Sequence, residues 1–169
     1  AYKDFFISLD KDEGFENVVR PRSSDLFQEM DIGNKKKYLW CTFGHDQIDL
    51  NFKNPEVLLF FIELIYLYLK NGVKVFRLDA VAFIWKEKGT NCLNLPQTHE
   101  VVKLIRTLLD NYNQSTLLIT ETNLPNLENL SYFGNGDEAN AIYNFTLPPL
   151  LIWTLLMGDS TALRKWSMS

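Results

Sequence analysis

The chain has 169 residues, of which 46% are hydrophobic and 14% aromatic, so it can bury a sizeable core and does not have the composition of a disordered protein. Its net charge is −4 and its longest basic run is Lys35 to Lys37, which argues against nucleic acid as a partner. The longest apolar stretch, residues 57–69, is too short to cross a bilayer and carries Glu63. We therefore expect a buried helix there and no membrane partner.

The cysteine content and the first residues bear on the compartment. Cys41 and Cys92 are too far apart for a metal motif, and two unpaired thiols are typical of a cytoplasmic protein. The opening residues, AYKDFF, lack the basic and apolar regions of a signal peptide. The sequence therefore predicts a cytoplasmic protein with neither a disulfide nor a metal site.

The chain divides into two parts by pattern. Residues 1–46 mix charges, glycines, proline and aromatic residues without sustained periodicity, which predicts a loop-rich module with short strands. The second part, residues 47–169, is more regular. There, Asn54 followed by Pro55 predicts the start of a helix that runs to about Lys70.

Short apolar strands and helices alternate after this first helix. The remaining predicted elements are, in chain order, a strand at 73–78, a helix at about 99–112, strands at 117–120 and 141–145, a hydrophobic helix at about 148–158 and a last helix through 166. This rhythm indicates parallel strands with crossover helices. We predict an α/β fold in which residues 47–169 form part of a (β/α)8 barrel and residues 1–46 an inserted module. A doubly wound sheet also fits the pattern, but no GxGxxG motif follows a strand.

Two acidic residues follow the predicted strands. Asp79 closes the string FRLD and Glu121 follows LLIT, so both would open onto one pocket at the carboxyl face of a barrel. Arg77 lies on the same strand face as Asp79 and favours its ionised form, as a nucleophile requires. The apolar residues before Glu121 favour its neutral form, as a general acid requires. Retaining glycoside chemistry uses such a pair.

Each of these residues also has an ordinary structural interpretation. Asp79 is compatible with a helix cap or turn, Glu121 with the start of a loop, and Arg77 with a charge partner inside the core. The joint occurrence of two acids on successive strands, with an arginine on the same face, favours the active site.

Longer strings resemble a known family. FRLDAVAFIWKEKGT resembles the nucleophile segment of the α-amylase clan, and LLITETN resembles its acid/base segment. Further strings are similar to the sucrose phosphorylase subgroup and its glucosylglycerate- and glucosylglycerol-phosphorylase relatives: VVRPRSS, DQIDLNFKNPEVL, QTHEVVKLIR, NLENLSYFG and YNFTLPPLL. The resemblance covers nearly the whole chain.

The resemblance implies a role for several residues. It implies that Asp79 is the nucleophile, Glu121 the acid/base, and Arg77 the partner of Asp79 and a contact to a sugar hydroxyl. Phe83 falls where relatives often have an aromatic residue near bound glucose. Asn123 falls where many clan members have histidine, which leaves a sugar contact in doubt at that position.

Two arginines and two histidines complete the candidates. Arg20 and Arg22 lie in the module that relatives insert beside the site, so we expect one of them to attract phosphate. The alternative is that both are solvated loop arginines. We interpret His45-Asp46 as a linker and His99 as a surface or cap residue.

The implied function is retaining phosphorolysis of sucrose or a related α-glucoside to α-glucose 1-phosphate, through a glucosyl-Asp intermediate. Inorganic phosphate is the co-substrate, and no metal or organic cofactor is expected. Two alternatives remain open: hydrolysis or transglycosylation by the same acid pair, and a non-catalytic amylase-like interaction domain.

Two segments of the clan have no match in this sequence. These are an early Asp…Asn-His segment and a later His-Asp segment, whose acid stabilises the transition state in the clan. We therefore expect a fragment of a catalytic domain that is inactive by itself. We also expect it to self-associate through exposed barrel edges.

Overall fold

The computed structural model describes residues 4–168 and contains two three-stranded sheets. The first sheet is antiparallel and consists of β1 (Ser8–Leu9), β2 (Phe27–Ile32) and β3 (Lys35–Trp40), in the order β1-β3-β2. Strands β2 and β3 form a hairpin with a two-residue turn. Its residues Gly33 and Asn34 have φ of 58° and 61°, the positive values that a primed hairpin turn requires.

Aromatic packing holds the first sheet together. The fully buried ring of Trp40 meets Phe15 and Phe27 edge to face, at centroid distances of 5.0 and 5.4 Å. A bridge from Phe6 to Leu50 then ties this sheet to the segment that enters the second part of the chain.

The second part begins with helix α1 (Pro55–Lys70), which has the signals that the sequence predicts. The Asn54 side chain accepts a hydrogen bond from the backbone N–H of Glu56 at 3.0 Å, and Gly72 ends the helix at φ 85°. The elements that follow are β4 (Val75–Leu78), a 3-10 turn (Val81–Phe83), α2 (Pro96–Tyr112), β5 (Leu117–Thr120), α3 (Asn126–Leu130), a second 3-10 turn (Ser131–Phe133), β6 (Ala141–Ile142), α4 (Leu147–Met157) and α5 (Thr161–Ser167).

Strands β4, β5 and β6 form the second sheet, which is parallel and has this same spatial order. Helix α2 connects the first two strands and packs its apolar side onto the sheet. The core between them contains residues of α1, α2, β5 and the two 3-10 turns: Ile65, Leu69, Val81, Ala82, Val101, Val102, Ile105, Leu109, Leu118 and Tyr132. The predicted rhythm of parallel strands and crossover helices is therefore present.

Two predicted boundaries differ from the structure by three residues, and β4 begins at Val75 rather than at Val73. Helix α2 begins at Pro96 rather than near His99, because proline is well suited to the first helical position, where no N–H is needed. The third parallel strand ends at Ile142 rather than at Phe145, because its pairing with β5 stops where β5 itself ends at Thr120.

The prediction that residues 57–69 form a buried helix is also wrong. Val57, Ile65 and Leu69 of α1 are buried, whereas Leu67 is 55% exposed, because only one face of the helix contributes to the core. Helix α4 is even more open, and its Leu155 is 82% exposed. Apolar exposure thus lies on helices as well as at the sheet edges that the sequence led us to expect.

Two further observations concern the cysteines and the helices. Cys41 and Cys92 are both buried and unpaired. Within residues 4–168, no helix is long and apolar enough to cross a membrane.

Candidate active site

The two candidate carboxylates follow adjacent strands of the parallel sheet. Leu78 and Thr120, the last residues of β4 and β5, are partners in the strand register. The backbone N–H of Glu121 donates to the Leu78 carbonyl at 2.9 Å, which extends the pairing past the strand end. Asp79 and Glu121 therefore lie at the same edge of the sheet, as the sequence predicts.

Arg77 contacts both Asp79 and an aromatic ring. Its Nη2 lies 2.8 Å from Asp79 Oδ1, and its guanidinium carbon lies 4.9 Å from the ring centroid of Tyr143, just beyond β6. The side chains of Arg77 and Asp79 are 42% and 73% exposed, so solvent weakens their attraction. The pair therefore orients the carboxylate more than it stabilises the fold.

Glu121 is oriented by a backbone group of the neighbouring strand. Its Oε2 accepts a hydrogen bond from the N–H of Ala80 at 2.8 Å. Ala80 has φ 47° and ψ 33°, a left-handed conformation that costs a residue with a Cβ about 1 kcal/mol or more. Since Oε2 is occupied by this donor, a proton that Glu121 supplies to a leaving group would be carried on Oε1.

Asp79 and Glu121 line a single cavity of about 620 Å³. Phe83 and Arg22 line it as well, so it brings together four of the residues that the sequence proposes. This volume suits a small organic ligand. A larger cavity of about 950 Å³ lies against the first sheet, but it contains neither carboxylate, so the chemistry assigns the site to the smaller one.

The other proposed site residues lie apart from this cavity. Arg77 reaches it through its contact with Asp79. Arg20 is half buried and its guanidinium donates to the Ser24 carbonyl, so Arg20 supports its own loop. Asn123 is exposed and, like Arg20, lies outside the described lining. The roles proposed for these side chains stay predictions.

Part of the cavity wall comes from residues 43–50, to which the sequence analysis assigned no role in the site. Phe43, Asp46 and Asp49 line the cavity, and the Phe43 ring meets the ring of Phe83 edge to face at 5.5 Å. His45, by contrast, points to the Asp25 carbonyl at 3.3 Å. The interpretation of His45-Asp46 as a linker therefore missed the position of Asp46. The signal was its place directly before the string QIDLN.

His99 is neither a surface residue nor a helix cap, so that prediction is wrong. Its Nδ1 lies 2.7 Å from Glu138 Oε2 and its Nε2 lies 3.1 Å from Asn94 Oδ1, while the ring stacks on Tyr132 at 4.4 Å. Because α2 begins at Pro96, His99 lies within its first turn and faces the buried Glu138. Among residues 4–168, no group of three potential metal-ligating side chains is found here or elsewhere.

Comparison with known proteins identifies the family. The family model for the alpha amylase catalytic domain matches residues 1–157. The glucosylglycerate phosphorylase of Allomeiothermus silvanus is 47% identical over 98% of this chain, and that of Escherichia coli is 44% identical over all of it. The matches cover 30% and 31% of those two proteins, so the chain spans about a third of their length.

Solved structures give the same result for the fold. The sucrose 6F-phosphate phosphorylase of Thermoanaerobacter thermosaccharolyticum superposes with a TM-score of 0.81 at 26% identity, over 97% of this chain and 35% of that one. The trehalose-6-phosphate hydrolase of Bacillus licheniformis, at 18% identity and a TM-score of 0.70 over 85% of this chain and 28% of that one, shares the fold alone. The predicted fold class, part of a (β/α)8 barrel, is confirmed. The chain belongs to the alpha-amylase catalytic-domain family, as its nucleophile-like and acid/base-like strings predict.

Proposed function

We propose that the protein containing these residues is a retaining α-glucoside phosphorylase that releases α-glucose 1-phosphate. The observation that carries the proposal is that Asp79 and Glu121 follow paired strands and line the same cavity. Glucosylglycerate is the proposed substrate, because relatives with 44–47% identity are glucosylglycerate phosphorylases. Sucrose, the substrate that the sequence first suggests, is the second choice.

In the first proposed step, an Asp79 oxygen attacks the anomeric carbon of the glucosyl group. The new bond joins that oxygen to the sugar, and the bond to the glycerate oxygen breaks. Glu121 gives its proton to the departing oxygen, so glycerate leaves as an alcohol. Arg77 holds the attacking carboxylate in place through the contact at 2.8 Å.

In the second step, a phosphate oxygen attacks the same carbon and the bond to Asp79 breaks. Glu121 now accepts the proton of the phosphate, which restores both side chains. Two displacements at one carbon retain its configuration, so the product is the α-anomer. Hydrolysis by the same pair would instead use water and release free glucose.

Arg22 is the proposed attractor of phosphate. Its exposed side chain lines the cavity, whereas Arg20 binds a loop carbonyl. An arginine is a charged, two-pronged donor suited to phosphate oxygens. We expect Arg22→Gln to raise the KM for phosphate several-fold, while the same change at Arg20 lowers thermal stability instead.

Asp79→Asn in the full-length protein that contains these residues tests the proposal. Asparagine keeps an oxygen that can accept from Arg77 and removes the nucleophile, so turnover should fall by about a thousandfold or more while the melting temperature is kept. The assay measures glucose 1-phosphate and free glucose from glucosylglycerate with phosphate. Turnover at the wild-type rate in this variant would reject Asp79 as the nucleophile. Absence of turnover in the wild-type protein would favour the non-catalytic alternative, and glucose as its main product would favour hydrolysis.

A further inference from the structure

A buried ammonium group lies between the residues that follow β3 and the 3-10 turn that follows β4. Lys86 is 7% exposed. Its Nζ lies 2.9 Å from Asp49 Oδ2 and 3.0 Å from Thr42 Oγ1, and it also donates to the carbonyl of Phe83. A buried cation is costly unless its hydrogen bonds are satisfied, and three acceptors surround this one.

The acceptors of Lys86 are themselves fixed. Asp49 Oδ1 accepts the backbone N–H of Thr42 at 2.8 Å, and Oδ2 accepts the Thr42 hydroxyl at 2.6 Å. The same hydroxyl oxygen accepts from the indole N–H of Trp40 at 2.9 Å. Burial lowers the pKa of Lys86, while the charge of Asp49 opposes that shift. This network therefore has a defined geometry around a single cation.

The contact with Phe83 links the network to the candidate site. Lys86 binds the backbone of Phe83, and its Nζ also lies 5.9 Å from the centroid of the Phe83 ring. Phe83 and Asp49 both line the cavity that holds the carboxylates. Charge balance with Asp49 would not by itself require a contact to the Phe83 carbonyl, so the arrangement does more than pair two charges.

We propose that Lys86 is a positioning residue, which fixes Phe83 relative to residues 42–49. By holding Phe83 in place, Lys86 sets the affinity of the cavity for the glucosyl group. This inference rests on the proposed function. Lys86 itself lines the larger cavity rather than this one, so it acts on the glucosyl group through Phe83.

Steady-state kinetics of Lys86→Met in the full-length protein test this role. Methionine keeps the unbranched stem of the side chain, ends one atom earlier and removes the ammonium group. Phe83 is expected to bind the substrate and the transition state equally well. The KM for glucosylglycerate should therefore rise about tenfold, while kcat stays within about threefold of the wild-type value. A lysine that merely stabilises the fold would give the opposite result, because a smaller folded fraction lowers the apparent kcat and leaves KM unchanged.

A second variant covers the case in which Lys86→Met does not fold. Lys86→Met combined with Asp49→Asn removes both buried charges, so no carboxylate is left unpaired. We expect this pair to recover stability and to keep the raised KM, because the anchor of Phe83 is still missing. Recovery of the wild-type KM would show that Lys86 only balances charge, and would overturn the proposal.

A double-mutant cycle identifies the residue through which Lys86 acts. In a Phe83→Ala background, Lys86→Met should raise KM by less than about twofold, because the group it positions is gone. Full additivity of the two effects on KM would contradict the proposed route.

A spectroscopic measurement separates this inference from the proposed function. With 4-fluorophenylalanine at position 83 alone, the wild type should give one narrow ¹⁹F resonance, and Lys86→Met a broadened or split one. A single narrow resonance in the variant, even if shifted by the lost charge, would overturn the positioning role in an active enzyme. A broadened or split resonance in a protein without phosphorolysis would support positioning and reject the function.

Discussion

The backbone N–H of Ala80 donates to Glu121 across 2.8 Å, so the residue directly after the proposed nucleophile orients the proposed acid/base. The left-handed conformation of Ala80 accompanies this contact. The geometry makes the two carboxylates interdependent, because a shift of the Asp79 backbone moves the donor that holds Glu121.

Glu121→Gln should separate proton donation from this structural contact. A glutamine oxygen can still accept from Ala80, but the amide carries no transferable proton, so kcat for glucosylglycerate should fall by about a hundredfold or more. With α-glucosyl fluoride, whose leaving group needs little protonation, the loss in the first step should be under about tenfold. Both rates are measured in the full-length protein as the initial burst of glycerate or fluoride release, which reports the first step alone.

Glu121→Ala is the matched control, since it also removes the acceptor for Ala80. We expect it to lower the melting temperature relative to Glu121→Gln, because the Ala80 N–H loses its partner. Equal losses with both substrates in Glu121→Gln would argue against a general acid at this position.

Tyr143→Ala should remove the cation–π contact that helps to orient Arg77. An exposed cation–π contact contributes about 0.5–1 kcal/mol, which corresponds to a two- to fivefold fall in kcat/KM for the glucoside. Tyr143→Phe keeps the ring and should stay near the wild type. Phe145→Ala is the neighbouring control, since that ring contacts Tyr143 at 6.0 Å. An equal fall in kcat/KM for Tyr143→Ala and Phe145→Ala would indicate that the loop between β6 and α4 has become less ordered.

Asn129→Leu should destabilise the loops beyond the strand ends. The Asn129 side chain accepts from the Thr122 hydroxyl and donates to the Tyr143 carbonyl at 2.9 Å, so it joins the segments that follow β5 and β6. Leucine leaves both groups without this partner, at a cost of about 2–4 kcal/mol in the free energy of unfolding. Asn126→Leu, at an exposed position of the same helix, should change it by less than about 0.5 kcal/mol. Urea denaturation of both variants measures the difference.

Tyr132→Phe should stabilise the protein. The Tyr132 hydroxyl is buried and has no hydrogen-bond partner within the described residues, so its removal should raise the free energy of unfolding by about 1 kcal/mol. The stacking of this ring on His99 is kept. A loss of stability would instead reveal a partner for the hydroxyl.

The same variant should alter the stability at alkaline pH. Burial raises the pKa of Tyr132 above its ordinary value of 10.0, so above that pH the unfolded chain releases this proton before the folded protein does. The folded state then binds more protons, and stability falls as the pH rises from 10.0 toward the raised folded pKa. The fall should be shallower in Tyr132→Phe, as urea denaturation at pH 9 to 11 can show.

Sequence reasoning located the carboxylates because parallel strands impose a simple rule. Residues that follow paired strands share one edge, so placing β4 and β5 was enough to bring Asp79 and Glu121 together. Helix α1 could be predicted equally well, because Asn54 and Gly72 fix its two ends through local hydrogen bonds and backbone conformation.

The contacts that sequence reasoning missed are long-range. Lys86 and Asp49 are 37 positions apart, and no sequence pattern indicates that they form an ion pair. The hairpin of β2 and β3 was also missed, because charged residues on both strands obscure the alternation of apolar residues. Its local signal was the dipeptide Gly33-Asn34. The role of His99 depends on Glu138, which follows it by 39 positions.

The link from Lys86 to Asp49 and Thr42 has a consequence for the construction of chimeras. A donor sequence that replaces residues 1–53 must bring acceptors matching this ammonium group, or else be grafted together with position 86. Exchange of residues 1–53 alone would leave the Lys86 ammonium group buried without its acceptors Asp49 and Thr42. Residues 40–49 and 83–86 are therefore better transplanted as one unit than divided between two parents.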